Sequence, residues 1–218
     1  MIPVLLGPEP PDFDGRVRQP GLRVLAAAGL SLSAIVSRAE LMRAGGRIKP
    51  DFWRRMRHEL KAVFSGCCAY SCFLLEDAIT PSGDELSGSV DHFQPISRSP
   101  AGLAYEWSNL RWAWRTIDNQ YKKDKVLTLD PCAISTLPFE LDVGDFGRLL
   151  PQAGLDAHTR TEAEQALLIL GLNQPDCVVR RRAWADDFMA NAHQYGDQLM
   201  QSLQPFLWQQ LKTLGAIP

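Results

Sequence analysis

The chain has 218 residues, 45% hydrophobic and 22% charged, with a formal net charge of −2. This balance argues against a disordered tail and against a generic coat for nucleic acid, and no apolar run approaches the ~18 residues of a membrane span. The start, MIPVLLGPEPPDFDGRVRQPG, has no basic segment ahead of its short apolar run, so no secretory leader is expected and the expected location is the cytoplasm.

Residues 1–20 read as an extended, proline-rich arm. Short helices are expected over about Leu22–Ala28 and Ser37–Ala44, the second ended by Gly45 and Gly46. DFWRRMRHELKAVFSG predicts one helix. Asp51 is placed to cap it, Phe52, Met56, Leu60 and Phe64 share a stripe, and Gly66 can end it. CCAYSCFLL is a short apolar run, either a strand or a buried helical turn, and TPSGDELSGS has loop chemistry. SVDHF reads as a hairpin element, SRSPAG as a loop and WAWRTIDNQYKK as a helix. The stretch from Val126 to Pro151 is irregular with room for a strand pair. TRTEAEQALLILGLN predicts a helix, with Thr161 and Glu164 in capping-box spacing and its end at Gly171 and Asn173. An amphipathic stretch runs from about Asp176 to Leu203, Pro205 interrupts it, and FLWQQLKTLG resumes. The implied divisions are an N-terminal arm with helices (1–66), a central core (67–126) and an irregular-then-helical C-terminal region (127–218).

Five cysteines (Cys67, Cys68, Cys72, Cys132 and Cys177) are odd in number and not spaced as a disulfide scaffold, so reduced thiols are expected. Charge is uneven along the chain. Residues 1–61 hold 11 Lys+Arg against 6 Asp+Glu, whereas 127–218 hold 6 against 11. A chain of negative net charge can still bind a polyanion through a clustered basic face. A plain solvated helix face is an equal reading of the N-terminal cluster.

The chemistry concentrates in SVDHFQPISRSP and LAYEWSNLRWAWRTIDNQYKKDK. Taken alone, Asp91–His92 is a surface acid beside a partly buried histidine. In order with Asn109, Asn119 and a run of lysines it matches the needs of phosphodiester hydrolysis. That reaction needs an activated water and positive charge where the leaving oxygen becomes negative. A neutral histidine can take the water proton near pH 7. On an extended backbone Asp91 and His92 point to opposite faces, so one can hold a metal while the other meets the water. Mg²⁺ keeps several of its own waters, so two oxygen ligands suffice. Asn119 offers an amide oxygen, Asn109 can brace the loop after His92, and Lys122, Lys123 and Lys125 can touch phosphates. His58 reads as an exposed helix residue beside Arg55, His158 and His193 lack partners at ligand spacing and read as structural, and the tryptophans read as core.

This segment resembles the HNH nucleases. The resemblance implies an α+β, mostly helical fold with a small ββα-metal core flanked by N- and C-terminal helices. It implies His92 as general base, Asp91 and Asn119 as ligands of one Mg²⁺ or Mn²⁺, and Asn109 as the brace of the histidine loop. The implied substrate is DNA, cleaved to a 5′-phosphate, with Arg111, Arg115, Lys122 and Lys123 on its backbone. Softer flanking similarity extends to a bacterial branch associated with retrons and anti-phage defence, which implies an ATPase or a retron nucleoprotein as partner. Many relatives carry two CxxC pairs around a structural zinc. Here the first reads CCAYSC and the second RTIDNQ, without a cysteine, so no structural zinc is expected. Two alternatives stay open: a non-catalytic binding subunit that keeps the HNH shell, favoured if His92 is buried and tied to a carbonyl, and RNA as substrate.

Overall fold

A computed structural model describes residues 1–46, 50–75 and 86–218. The fold is α+β and mostly helical, about 51% helix and 11% strand. A π-helical turn, Asp14–Arg18, runs into α1 (Gln19–Ala27), and α2 (Arg38–Ala44) follows. A 3₁₀ turn, Phe52–Met56, leads into α3 (Arg57–Val63). Strand β1 (Gly88–His92) pairs antiparallel with β2 (Leu110–Trp114), and a π-helix, Ile117–Lys122, comes next. A hairpin of β3 (Phe139–Asp142) and β4 (Asp145–Pro151) precedes α4 (Ala157–Ile169), α5 (Pro175–Leu203) and α6 (Pro205–Thr213). One contiguous apolar core reaches from Met1 to Ile217. Among the described residues no helix is long and apolar enough to cross a membrane.

Local chemistry explains most boundaries. Ser37 and Glu40 form a reciprocal capping box that starts α2. Phe52, Met56, Leu60 and Phe64 are all buried, but their segment is a 3₁₀ turn followed by a short α-helix, and Asp51 makes no side-chain cap. Asp51 instead pairs with Arg54 at 3.0 Å. The arm turns helical from Asp14, earlier than the sequence suggests. Helix α4 also begins earlier. Its cap is Asp156, which accepts from the His158 and Thr159 amides at 2.9 and 3.1 Å, not Thr161. The loop expected over 80–89 lies partly outside the described residues, and its last two residues open β1.

The largest departure lies in WAWRTIDNQYKK, expected to be helical throughout. Its first three residues are the end of β2. All five residues of β2 are buried, so the strand shows no polar/apolar alternation. The pairing sets Gly88 opposite Trp114 and Val90 opposite Trp112. Gly88 is required there, because a Cβ would stand 2.0 Å from the Trp112 ring. The 67–75 run is neither strand nor helical turn as a whole. It doubles back, with a bridge between Cys67 and Leu74.

Candidate active site

Strand alternation sends Asp91 and His92 to different surroundings. Asp91 is 4% exposed. Its carboxylate accepts from the Tyr70 hydroxyl at 2.5 Å and from Lys122 Nζ at 3.1 and 3.2 Å. The Lys122 side chain is fully buried and also donates to the His92 carbonyl at 2.6 Å. One ammonium therefore clamps the Asp91–His92 dipeptide from the helix side. Burial and the adjacent Asp91 charge hold the Tyr70 hydroxyl well above its usual pKa, so it remains a donor.

His92 donates Nε2–H to the Ala104 carbonyl at 3.0 Å and meets the Trp53 ring edge-on at 4.6 Å. Burial pushes its pKa down to about 4. The Ala104 carbonyl and Asp91 oppose that shift, while Lys122 and Arg38 add to it. The imidazole is thus neutral at physiological pH, and the carbonyl fixes the tautomer so that Nδ1 carries the lone pair. Asn109 sets the loop that supplies this carbonyl. Its Oδ1 accepts from Gln94 N at 2.7 Å, and its Nδ2 donates to the carbonyls of Gln94 and Leu103 at 3.1 and 3.2 Å.

The residue facing Asp91 from the π-helix is Asp118, which the sequence reading passed over. Lys123 N closes a five-residue turn onto the Asp118 carbonyl at 2.9 Å. Asp118 and Lys122 therefore lie on one side of the helix, toward β1. Ser89 Oγ donates to Asp118 at 2.8 Å. Burial and then the Asp91 charge push the Asp118 carboxyl up to about 7. Asn119, expected as the second metal ligand, is exposed and lines the same cleft.

Two expected phosphate contacts are corrected by burial. Lys122 is consumed by Asp91 and the His92 carbonyl. Arg111 is 1% exposed, forms a two-pronged pair with Asp130, and donates to the Ser108 and Leu110 carbonyls. Both stabilise the motif from inside. Arg115 and Lys123 are exposed and line the cleft, whereas Lys125 is exposed away from it. That cleft, of about 630 Å³, holds Asp91, His92 and Asp118. Its remaining cations, Arg38, Arg54 and Arg57, come from α2, the 3₁₀ turn and α3. The signal that could have found them was the basic excess of residues 1–61.

Cys68 Sγ accepts from the amides of Tyr70, Ser71 and Trp114 at 3.4, 3.4 and 3.2 Å, so this thiol pins the turn before β1 to the end of β2. Among the described residues there is no cluster of three or more His, Cys, Asp or Glu suited to a metal. Two hard carboxylate ligands are nevertheless what a Mg²⁺ that keeps its waters asks for. Asp91 and Asp118 fit that demand. Asp91 raises Asp118 through its charge, and a divalent cation between them would relieve that repulsion. No protein-family model matches this chain, and no curated protein matches it.

Proposed function

We propose that this protein is a metal-dependent endonuclease of the HNH type that hydrolyses DNA phosphodiester bonds. The observation that carries the reading is a neutral histidine, fixed through one ring nitrogen, beside a pair of carboxylates in a cation-lined cleft. His92 Nδ1 would take the proton of the attacking water. Asn109 and the Ala104 carbonyl would keep the ring turned toward that water. Asp91 and Asp118 would hold a Mg²⁺ or Mn²⁺, which supplies positive charge to the leaving oxygen when bound. Tyr70 and Lys122 would orient Asp91, as outer partners orient metal-binding carboxylates elsewhere. Arg115 and Lys123 would hold the backbone without reading sequence.

The binding-subunit alternative has one observation in its favour: His92 is buried and tied to a carbonyl. The tie occupies Nε2 alone, however, and His92 still lines the cleft. A carbonyl on Nε2 is also what orients Nδ1 as an acceptor, so catalysis is the better reading. The sequence resemblance supports the finer part of the proposal, a cytoplasmic effector of bacterial anti-phage defence working with an ATPase or a retron nucleoprotein.

Plasmid cleavage tests the core of this reading. With Mg²⁺ or Mn²⁺ the wild type should nick or linearise plasmid, EDTA should stop it, and His92→Ala should lower the rate by roughly 10²–10⁴-fold. Undiminished cleavage by His92→Ala would refute the assignment of the base. A plasmid left intact under every condition, partner proteins included, would refute the nuclease.

A further inference from the structure

We infer that Arg38, Arg54 and Arg57, outside the β1–β2–helix motif, form a second cationic wall that holds a DNA strand against the site. The inference deepens the nuclease reading, since it concerns the same cleft, but it concerns grip and not chemistry.

The motif is flanked from two sides. On the Asp91 side sits the π-helix, through Lys122 and through the Ser89–Asp118 bond. On the His92 side sits the N-terminal segment. Trp53 packs on the His92 ring at 4.6 Å, and the Arg57 guanidinium lies 5.3 Å from the Trp112 ring centre. Because His92 and Trp112 share a face of the β1–β2 pair, Trp53 and Arg57 pack on that face, away from the π-helix that ends at Lys122, and Arg38 and Arg54 line the same cleft.

Charge points the same way. Among the described residues, five cations line the cleft against three carboxylates, Asp91, Asp118 and Asp124, in a chain of net charge −2. The excess among these residues is positive although the net charge is negative. Arg38, at the start of α2, lines the same cleft as His92. Arg54 is steadied by Asp51 at 3.0 Å while its side chain stays 66% exposed. A steadied, exposed guanidinium presents the planar fork that suits a phosphate.

The two-sided arrangement selects a polymer. A free phosphate or a monoester needs cations on one side of the reacting group. A phosphodiester within a strand has a further phosphate on each side, and cations on both sides of the carboxylates fit that repeat. The Arg side chains supply charge and no base-reading geometry, so the grip is on backbone.

The test is binding in EDTA, followed by fluorescence anisotropy of a labelled DNA duplex across a salt series. Arg57 packs on Trp112, so the variant is Arg38→Ala with Arg54→Ala, its fold checked by circular dichroism. Relative to wild type, the slope of log affinity on log salt should fall by about two, near 0.9 per lost phosphate contact, and affinity should drop ~10-fold. Arg160→Ala, on the exposed face of α4, should change neither. An unchanged slope in the double variant, an equal loss in Arg160→Ala, or a preference for RNA of the same sequence would overturn the inference. Binding with the expected slope but no cleavage on adding Mg²⁺, with partner proteins included, would sink the nuclease reading and leave this one standing. Cleavage with an unchanged slope would do the reverse.

Discussion

Lys122 shows what a single side chain's placement decides. As an exposed lysine on a helix it would meet phosphate and contribute little to stability. In the structure it is buried against Asp91, and deleting its charge would leave that carboxylate uncompensated. Lys122→Met should therefore destabilise the protein by ~3–5 kcal/mol, the usual effect of breaking a buried pair from one side. Thermal or urea unfolding reads this directly, and a variant as stable as wild type would return Lys122 to the surface. The choice between two neighbouring oxygens has a similar origin. The sequence offers two oxygens side by side, Asp118 and Asn119, and only the phase of the helix says which one faces β1. A usable hint was present. Asp118 and Lys122 are four apart, as partners on one helix face should be, and a carboxylate is the stronger ligand for a hard cation. Asp91, His92 and Asn109 are marked by the order of residue types, without any knowledge of helix phase.

At the level of elements, β1 was legible and its partner was not. Val90, Asp91 and His92 lie in a short segment followed by a turn, whereas β2 is buried on both faces and followed at once by helix. Trp112 and Trp114 two apart fit a strand as well as they misfit a helix face, but a short segment buried on both faces carries no periodicity that separates the two. What fixes the pair is shape. Gly88 leaves room for the Trp112 ring, and the strands come together around it. Gly88→Ala would force the ring or the backbone to move and should cost ~1–3 kcal/mol, the range for overpacking a filled core. The same substitution should slow cleavage, because Asp91 and His92 ride on this strand. Chemical denaturation combined with the plasmid assay checks both, and a Gly88→Ala variant with wild-type midpoint and rate would show the packing to be looser than described. Helix α4 was misplaced for a smaller reason. Thr161 and Glu164 have the spacing of a cap, but Asp156 stands five residues upstream and binds two free amides.

For the whole molecule, the expected α+β, mostly helical class holds, and composition gave the location of the cleft only indirectly. A −2 chain with a basic N-terminal quarter left open whether that quarter was solvated surface or part of a site. The fold answers through Trp53, which carries the N-terminal segment onto His92. The assembled site also sets the pH behaviour. With its pKa pushed down to about 4, His92 stays neutral between pH 6 and 8, with Nδ1 free of a proton, so it does not control the pH dependence there. Asp118, pushed up to about 7, is largely protonated at pH 6 and ionised at pH 8. Only the ionised form holds a cation, so activity should rise with pH across this window, most clearly at limiting Mg²⁺, because metal and proton compete for the same carboxylate.

Plasmid cleavage at limiting Mg²⁺ should therefore be compared for wild type, Asp118→Asn and Asn119→Ala at pH 6 and pH 8. The wild-type rate should climb with pH, the Asn119→Ala rate should stay within about threefold of it, and the Asp118→Asn rate should be at least ~10²-fold lower and flat in pH, as follows when a metal-holding group is lost. A crippled Asn119→Ala beside an active Asp118→Asn would contradict the site as assembled.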